Sequence, residues 1–335
     1  MMSLGAQSLH PLAHTTDIAA VRRSAVQLAN AQGFNETEAG RVAIAVTEAA
    51  TNILKHAVEG AIVLGPLWHG DGHGIDILAL DKGPGMANLA LSMHDGTSST
   101  GTAGTGLGAM RRMAACFDAY TMPGKGTVLH LRMWNGVKRP DEAIESGAVC
   151  LPIAGEEACG DGWWCSGGAS SAKLMVVDGL GHGPMAATAA QQAIRAAREN
   201  AHLASGRMLD MVHQALRPTR GAAVAIAEFD LHRQEVVFAG VCNISASVLD
   251  GSQRKSLISH NGIAGHNMRT PREFSLPWPT DSVCVFHSDG LSTQWSADDY
   301  PGLLWRHPSV VAGVLYRDFA RGRDDVTVVA LRRQL

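Results

Sequence analysis

The chain has 335 residues, 46% hydrophobic and 18% charged, a composition that can bury two cores of ordinary size and is not that of a disordered protein. A formal charge of -3, with no long Lys/Arg run, gives no reason to expect a nucleic-acid partner. No apolar run of about 18 residues is present to cross a bilayer, and the N-terminal MMSLGAQSLHPLAHTTD lacks the basic and apolar segments of a secretory signal, so a cytoplasmic protein with no membrane partner is expected.

From Asp17 to Ala31, Ile18, Val21, Ala25 and Leu28 recur at helical spacing. Phe34 and Asn35 interrupt the period, which resumes from Glu36 to Ala57 with Val42, Val46, Ala49 and Ile53 on one face. Ala61–Leu64 and Ile75–Leu80 read as buried strands, and a Gly/Ser/Thr-rich loop over 95–105 leads into a helix from Leu107 to Cys116. GTVLHLRMW alternates as a strand and closes the first half. Residues 135–147 (NGVKRPDEAIESG) are polar with a Pro and two Gly, the best linker between a domain over 10–134 and one over 148–335. In the second half Leu174–Val177, Ala222–Phe229, Glu235–Phe238, Val283–His287 and Val326–Leu331 read as strands, with one evident helix over Pro184–Glu199.

The first half carries three blocks suited to a nucleotide. Glu48, Asn52 and His56 stand at i, i+4 and i+8 of one helix and share a face. Asp81 ends a strand ahead of Gly83, Pro84 and Gly85, where a carboxylate can accept a hydrogen bond from an exocyclic amine. GTAGTGLGAM then sets Gly101, Gly104, Gly106 and Gly108 before a helix, a glycine loop able to offer backbone N–H groups to phosphates.

The second half places carboxylates at strand ends: Asp161 in CGDGWW, Asp178 in VVDGLGHG, Asp289 in HSDGL, and Asp324 and Asp325 in RDDVT. Oxygen ligands of this kind suit hard cations, and their number suggests two ions around a water. No C-x-x-C pair occurs among Cys116, Cys150, Cys159, Cys165, Cys242 and Cys284, so reduced, mostly buried thiols are expected.

Residues 10–134 resemble the GHKL ATPase fold shared by histidine kinases, DNA gyrase, heat-shock chaperones and anti-sigma-factor serine kinases. TEAATNILKHA and SSTGTAGTGLGAMRRM are most similar to the switch serine/threonine kinases of bacterial stress modules. Residues 148–335 resemble the PP2C-type phosphatases, in the SpoIIE- and RsbX-like branch that acts on STAS-domain proteins. The resemblance implies an α+β protein, with an N-terminal two-layer α/β sandwich and a C-terminal α-β-β-α sandwich.

The resemblance also implies roles for particular residues. Asn52 would bind Mg2+, Glu48 would orient or deprotonate the attacking hydroxyl, and Asp81 would read adenine. Gly83, Gly85, Gly104, Thr105, Gly106, Leu107 and Gly108 would line ATP. Asp178 would bridge two Mn2+ or Mg2+ ions with the Gly179 carbonyl as a further ligand, while Asp289 and Asp324 would complete one shell and Asp161 would serve the other ion. Asp325 is the weaker candidate, and His182 either packs against its loop or protonates the leaving oxygen. The lid over 95–104 has no Lys or Arg, and Lys55 or Arg111 would supply positive charge instead. A partner-switching regulator follows, with a STAS-domain protein as substrate in both phosphorylated and unphosphorylated forms, and a sigma factor or other signalling protein downstream. The alternatives are a phosphatase gated by a nucleotide sensor, or one joined to a partner-sequestering module.

Overall fold

The structure, a computed structural model, describes residues 2–4, 6–89, 106–136, 143–251 and 253–334. It divides into two compact units, the first Leu4–Pro140 and the second Asp141–Leu335 together with Met1–Ser3.

In the first unit an antiparallel sheet places Ser8–Pro11 beside Gly60–His69, then Gly72–Asp81, Gly126–Trp134 and Cys116–Met122. Helices Thr15–Ala31 and Glu36–His56 cover one face, where Val42, Val46, Ala49 and Ile53 meet Ile62, Ile75, Ile77 and Leu131 in one core. The second helix starts at a capping box: Glu38 N–H donates to Asn35 Oδ1 at 2.9 Å, and Asn35 N–H to Glu38 Oε2 at 2.9 Å. A further described helix spans Gly106–Met113, shorter than its period suggests, because Cys116 already pairs with Arg132 in the sheet. This is a two-layer α/β sandwich.

Alternation along Gly72–Asp81 sends Ile75 and Ile77 to the helices and Asp76 to the other face. There the buried Asp76 Oδ1 accepts from His130 Nε2 at 2.8 Å and from Arg132 Nε at 2.6 Å. Burial would raise the Asp76 carboxyl, but the charges of His130 and Arg132 outweigh it and bring it down to about 2. Burial likewise opposes a charge on His130, yet Asp76 pushes it up to about 9, with Cys116 acting in the same sense.

In the second unit two five-stranded antiparallel sheets face each other. One runs Phe274–Pro277, Glu235–Val241, Ala222–Asp230, Ser171–Gly179, Asp161–Gly167; the other runs Gln253–Leu257, Ser245–Asp250, Val283–His287, Val326–Arg333, Ile144–Leu151. Phe229 and Phe238 of the first sheet meet Phe286 of the second at ring-centroid distances of 6.4 and 6.3 Å, filling the space between them. Helices Pro184–Glu199 and Ser205–Leu216 pack on the first sheet and Pro308–Phe319 on the second, giving the α-β-β-α sandwich.

The structure corrects the linker. Residues 144–147 belong to the buried strand Ile144–Leu151, not to a connection. Their polar look misleads because Glu145 is paired with Arg332 Nη2 at 2.7 Å. Gly147 is required because a Cβ there would collide with the backbone of Ser309 at the start of the last helix.

The Asp76 cluster yields a stability prediction. Asp76→Ala removes the buried carboxylate that His130 and Arg132 share and is expected to destabilise the full chain by about 3–5 kcal/mol. His130 contributes stability that is full below its ordinary 6.5 and is lost as pH rises through about 9. Asp76 contributes stability that is full above its ordinary 3.8 and is lost as pH falls through about 2. Denaturant midpoints should therefore fall between about pH 6.5 and 9 in the native chain, and fall less in Asp76→Ala; equal slopes would refute this account.

Candidate functional site

In the first unit the helix Glu36–His56 acts as a ruler. Part-exposed Glu48 and Asn52 meet the first residue of the helix Gly106–Met113: a Cβ at Gly106 would stand 2.9 Å from Glu48 Oε2 and 3.9 Å from Asn52 Nδ2. Asp81 lies at the far end of the same helix, since a Cβ at the neighbouring Gly83 would stand 2.8 Å from His56 O and 2.9 Å from Asp81 Oδ1. From Glu48 to His56 the helix rises ~12 Å, so carboxylate, amide and Asp81 are spread along a line.

Asp81 is held in one orientation, because Oδ1 accepts from Gly83 N–H at 2.8 Å and from Thr127 N–H at 3.2 Å. Gly85 has φ +69, and a Cβ there would collide with the Met122 carbonyl. The close approach that demands glycine at 83 and 85 is thus to the protein's own backbone. Leu107 packs its side chain against the core, which leaves its backbone N–H as the group it offers, while Gly108 is buried. Gly104, Thr105 and the lid over 95–104 lie outside the described residues.

In the second unit the four predicted carboxylates lie within electrostatic reach, since Asp161, Asp289 and Asp324 all act on Asp178. Asp161 and Asp178 are directly opposite across neighbouring strands of the first sheet. Asp289 follows the strand Val283–His287, and Asp324 precedes Val326–Arg333, its neighbour in the second sheet. Burial, then the charges of Asp161, Asp289, Asp324 and Asp325, push the Asp178 carboxyl up to about 9. Burial leads for Asp161 too, reinforced by Asp325 and Asp324 against a hydrogen bond from Ser288, and raises it to about 7. Asp289 is raised by burial and by Asp324. Carboxylates in such mutual reach repel one another unless they hold protons or a cation joins them, and an all-oxygen donor set suits a hard divalent ion.

Several partners hold these groups. Buried Ser288 donates its hydroxyl to Asp161 Oδ2 at 2.6 Å and accepts from Thr327 N–H at 2.9 Å. Asn243 Nδ2 donates to Asp289 Oδ2 at 2.7 Å, from a turn where Cys242 takes φ 72. Asp325 spends both oxygens on backbone, accepting from Ile153 N–H at 2.7 Å and Gly160 N–H at 2.6 Å, so it braces the loop before Asp161. Gly160 and Gly179 lie against the alanine-rich helix Pro184–Glu199: a Cβ at Gly160 would stand 2.6 Å from Ala186 Cβ, and one at Gly179 would collide with Ala186 O. Gly179 N–H donates to Gly160 O at 3.0 Å, tying the two strand ends together. His182 does not pack as the first alternative had it. It is exposed and meets Glu156 Oε1 through Nδ1 at 3.0 Å.

Residues 12–133 match the family described as histidine kinase-like ATPase domain, and 169–334 match Stage II sporulation protein E (SpoIIE). The serine/threonine-protein kinase RsbT of Bacillus subtilis (strain 168) is 31% identical over 118 residues, which are 35% of this chain and 89% of RsbT. The chain belongs to the RsbT kinase family. It is a partner-switching fusion, an RsbT-like ATPase domain joined to a SpoIIE-type PP2C domain. A solved chain from "The bacterial stressosome: a modular system that has been adapted to control secondary messenger signaling" is 26% identical, with TM-score 0.54, covering 57% of this chain and 100% of that one. Domains of these two kinds use a nucleotide and divalent metal. Among the described residues no helix is long and apolar enough to cross a membrane.

The raised carboxyls fix a pH dependence. Folded Asp161 and Asp178 hold protons up to about 7 and about 9, whereas the unfolded chain releases them near 3.8. The folded state therefore binds more protons across that window, and stability of the metal-free chain falls as pH rises through it. In chelator, melting temperature should drop from about pH 4 to 9, and millimolar Mn2+ should restore it at the alkaline end. An Asp178→Asn chain should melt higher than the native chain in alkaline chelator and gain little from Mn2+; a flat native profile would count against the cluster.

Proposed function

We propose that this fusion both adds phosphate to and removes it from one class of protein in the cytoplasm, serine or threonine residues of a STAS-domain partner. The observation that carries the hydrolytic half is the facing pair Asp161 and Asp178 with Asp289 and Asp324 beside them. Two Mn2+ or Mg2+ ions held by Asp161, Asp178, Gly179 O, Asp289 and Asp324 would supply water activation and charge neutralisation when bound. The chain's own part is to fix that donor set: Ser288 aims Asp161, Asn243 aims Asp289, and Asp325 braces the loop through backbone. His182, with Nδ1 on Glu156, keeps Nε2 for a proton at the leaving serine oxygen.

In the synthetic half, Asn52 would hold ATP-associated Mg2+ and Glu48 the incoming hydroxyl, with Asp81 at the adenine end. The first-turn N–H groups of Gly106, Leu107 and Gly108, after Gly104 and Thr105, would face the phosphates. Phosphoryl transfer asks chiefly for positioning and charge neutralisation, and a carboxylate one helical turn from the metal-binding amide provides the first. The proximity of Glu48 to the start of the Gly106–Met113 helix favours transfer over a nucleotide sensor or a sequestering module, the two alternatives. The 31% identity to a protein named as a serine/threonine kinase supports the same choice.

Two substitutions in the full chain separate the halves. Asp178→Ala should reduce Mn2+-dependent hydrolysis of p-nitrophenyl phosphate to background while leaving ATP binding intact; undiminished turnover would place the hydrolytic centre elsewhere. Glu48→Ala should keep ATP affinity but slow transfer of labelled γ-phosphate to a STAS-domain protein by about 10²–10⁴-fold. Transfer at the native rate would remove Glu48 from the reaction, and no transfer by the native chain would favour the sensor.

A further inference from the structure

Two cysteines lie next to the acidic centre and take no part in it. Cys150 Sγ and Cys159 Sγ are 3.8 Å apart, and both residues are part-exposed, unlike the buried Cys165 and Cys284. The sequence-based expectation of mostly buried thiols fails for this pair, because Cys150 sits on an edge strand and Cys159 in an irregular loop. A disulfide needs about 2.05 Å between sulfurs, so a movement of ~1.8 Å closes the gap.

We propose that Cys150 and Cys159 form a reversible disulfide that lowers the metal affinity of the acidic centre. The control rests on the reading of that centre as a metal site; the bond itself does not. Cys150 is anchored, since its strand pairs with Val326–Arg333 in register and Thr327 donates a hydroxyl hydrogen bond to its sulfur at 3.1 Å. Cys159 belongs to the segment 152–160, which has no helix or strand, so the loop side yields when the bond closes.

That movement has nowhere to dissipate. The next residue, Gly160, donates to Asp325 Oδ2 at 2.6 Å, accepts from Gly179 at 3.0 Å and is hard against Ala186. The residue after it is Asp161, whose carboxylate faces Asp178. Thr327 offers a second route to the same place, because its N–H supports the Ser288 hydroxyl that aims Asp161. Both ends of the new bond are thus one or two residues from groups that set the geometry of Asp161.

The chemistry balances with a hydroperoxide as oxidant. Cys150, giving up its thiol proton, attacks the terminal oxygen of the hydroperoxide: the S–O bond forms, the O–O bond breaks, and the departing alkoxide takes up that proton to leave as an alcohol, or as water from hydrogen peroxide. The second thiol attacks that sulfur, the S–S bond forms, the S–O bond breaks and water leaves. A dithiol reverses it by two exchanges, returning both thiols and becoming a disulfide itself.

The test treats the full chain with hydrogen peroxide, then maps cysteine peptides, counts thiols and measures Mn2+ binding by calorimetry. The expected result is a Cys150–Cys159 cross-link with loss of two hydrogens, and Mn2+ affinity lower by about tenfold or more. Dithiothreitol should restore the affinity. Cys150→Ser, and independently Cys159→Ser, should form no such cross-link and keep their Mn2+ affinity through the same treatment. Both thiols remaining alkylatable after peroxide would overturn the proposal, as would a mapped cross-link with unchanged Mn2+ affinity. An untreated chain that binds no Mn2+ would overturn the metal reading and the control built on it, and this is seen before any oxidant is added.

Discussion

Repulsion among carboxylates is the constraint on which the second unit is built. Asp161 and Asp178 face each other across a β-ladder, an arrangement that costs free energy when both are charged. The hydrogen bonds that hold it come from neutral donors, the Ser288 hydroxyl on Asp161, the Asn243 amide on Asp289 and two backbone N–H groups on Asp325, while the charge of Arg321 acts on Asp289 without such a bond. Neutral donors orient a carboxylate while leaving its charge for a cation. The close seating of Gly160 and Gly179 on Ala186 serves the same end, because it fixes the strand ends from which Asp161 and Asp178 project.

The first unit handles buried charge in the opposite way. Asp76, His130 and Arg132 compensate one another inside the sheet, and the carboxyl is driven down where Asp178 is driven up. A group whose charge is already paired is a structural element; a group whose charge is raised in energy by its neighbours is poised for a ligand. The same residue type, read by its surroundings, thus separates framework from site. Glu48 and Asn52 are set apart by position instead, at the start of the Gly106–Met113 helix.

Much of this was visible in the chain's own pattern. The period of Glu36–His56 located Glu48 and Asn52, and the strand-end aspartates located the acidic centre. What stayed hidden was non-local. Ser288 lies 127 residues from Asp161, and nothing in HSDGL distinguishes a serine that aims a carboxylate from one that caps a turn. Asp325 reads like a ligand beside Asp324, and only its two backbone donors identify a brace. The helix Pro308–Phe319 is apolar on nearly every side, so it has no amphipathic period to detect, and the strand Cys116–Met122 mixes polar and apolar residues in a way that lengthened the preceding helix. The strand Ile144–Leu151 was concealed by Glu145, polar in sequence but satisfied by Arg332.

On the proposed reading, two opposed reactions share one substrate, and running both at once would hydrolyse ATP with no net change in the partner. At least one half has to be gated. A centre whose carboxylates repel until cations arrive is the natural gate, because small displacements of one ligand alter a balance between repulsion and coordination that is already steep. The Cys150–Cys159 pair acts at that point, through Gly160 on one side and Thr327 on the other, and it touches only the hydrolytic half. Oxidation would then leave phosphorylation unopposed, and reduction would restore the cycle. On the same reading, neutral hydrogen-bond donors on Asp161 and Asp289 orient these carboxylates without replacing the cations. A lysine or arginine in place of these donors would stabilise the empty centre and remove the sensitivity on which the gate depends.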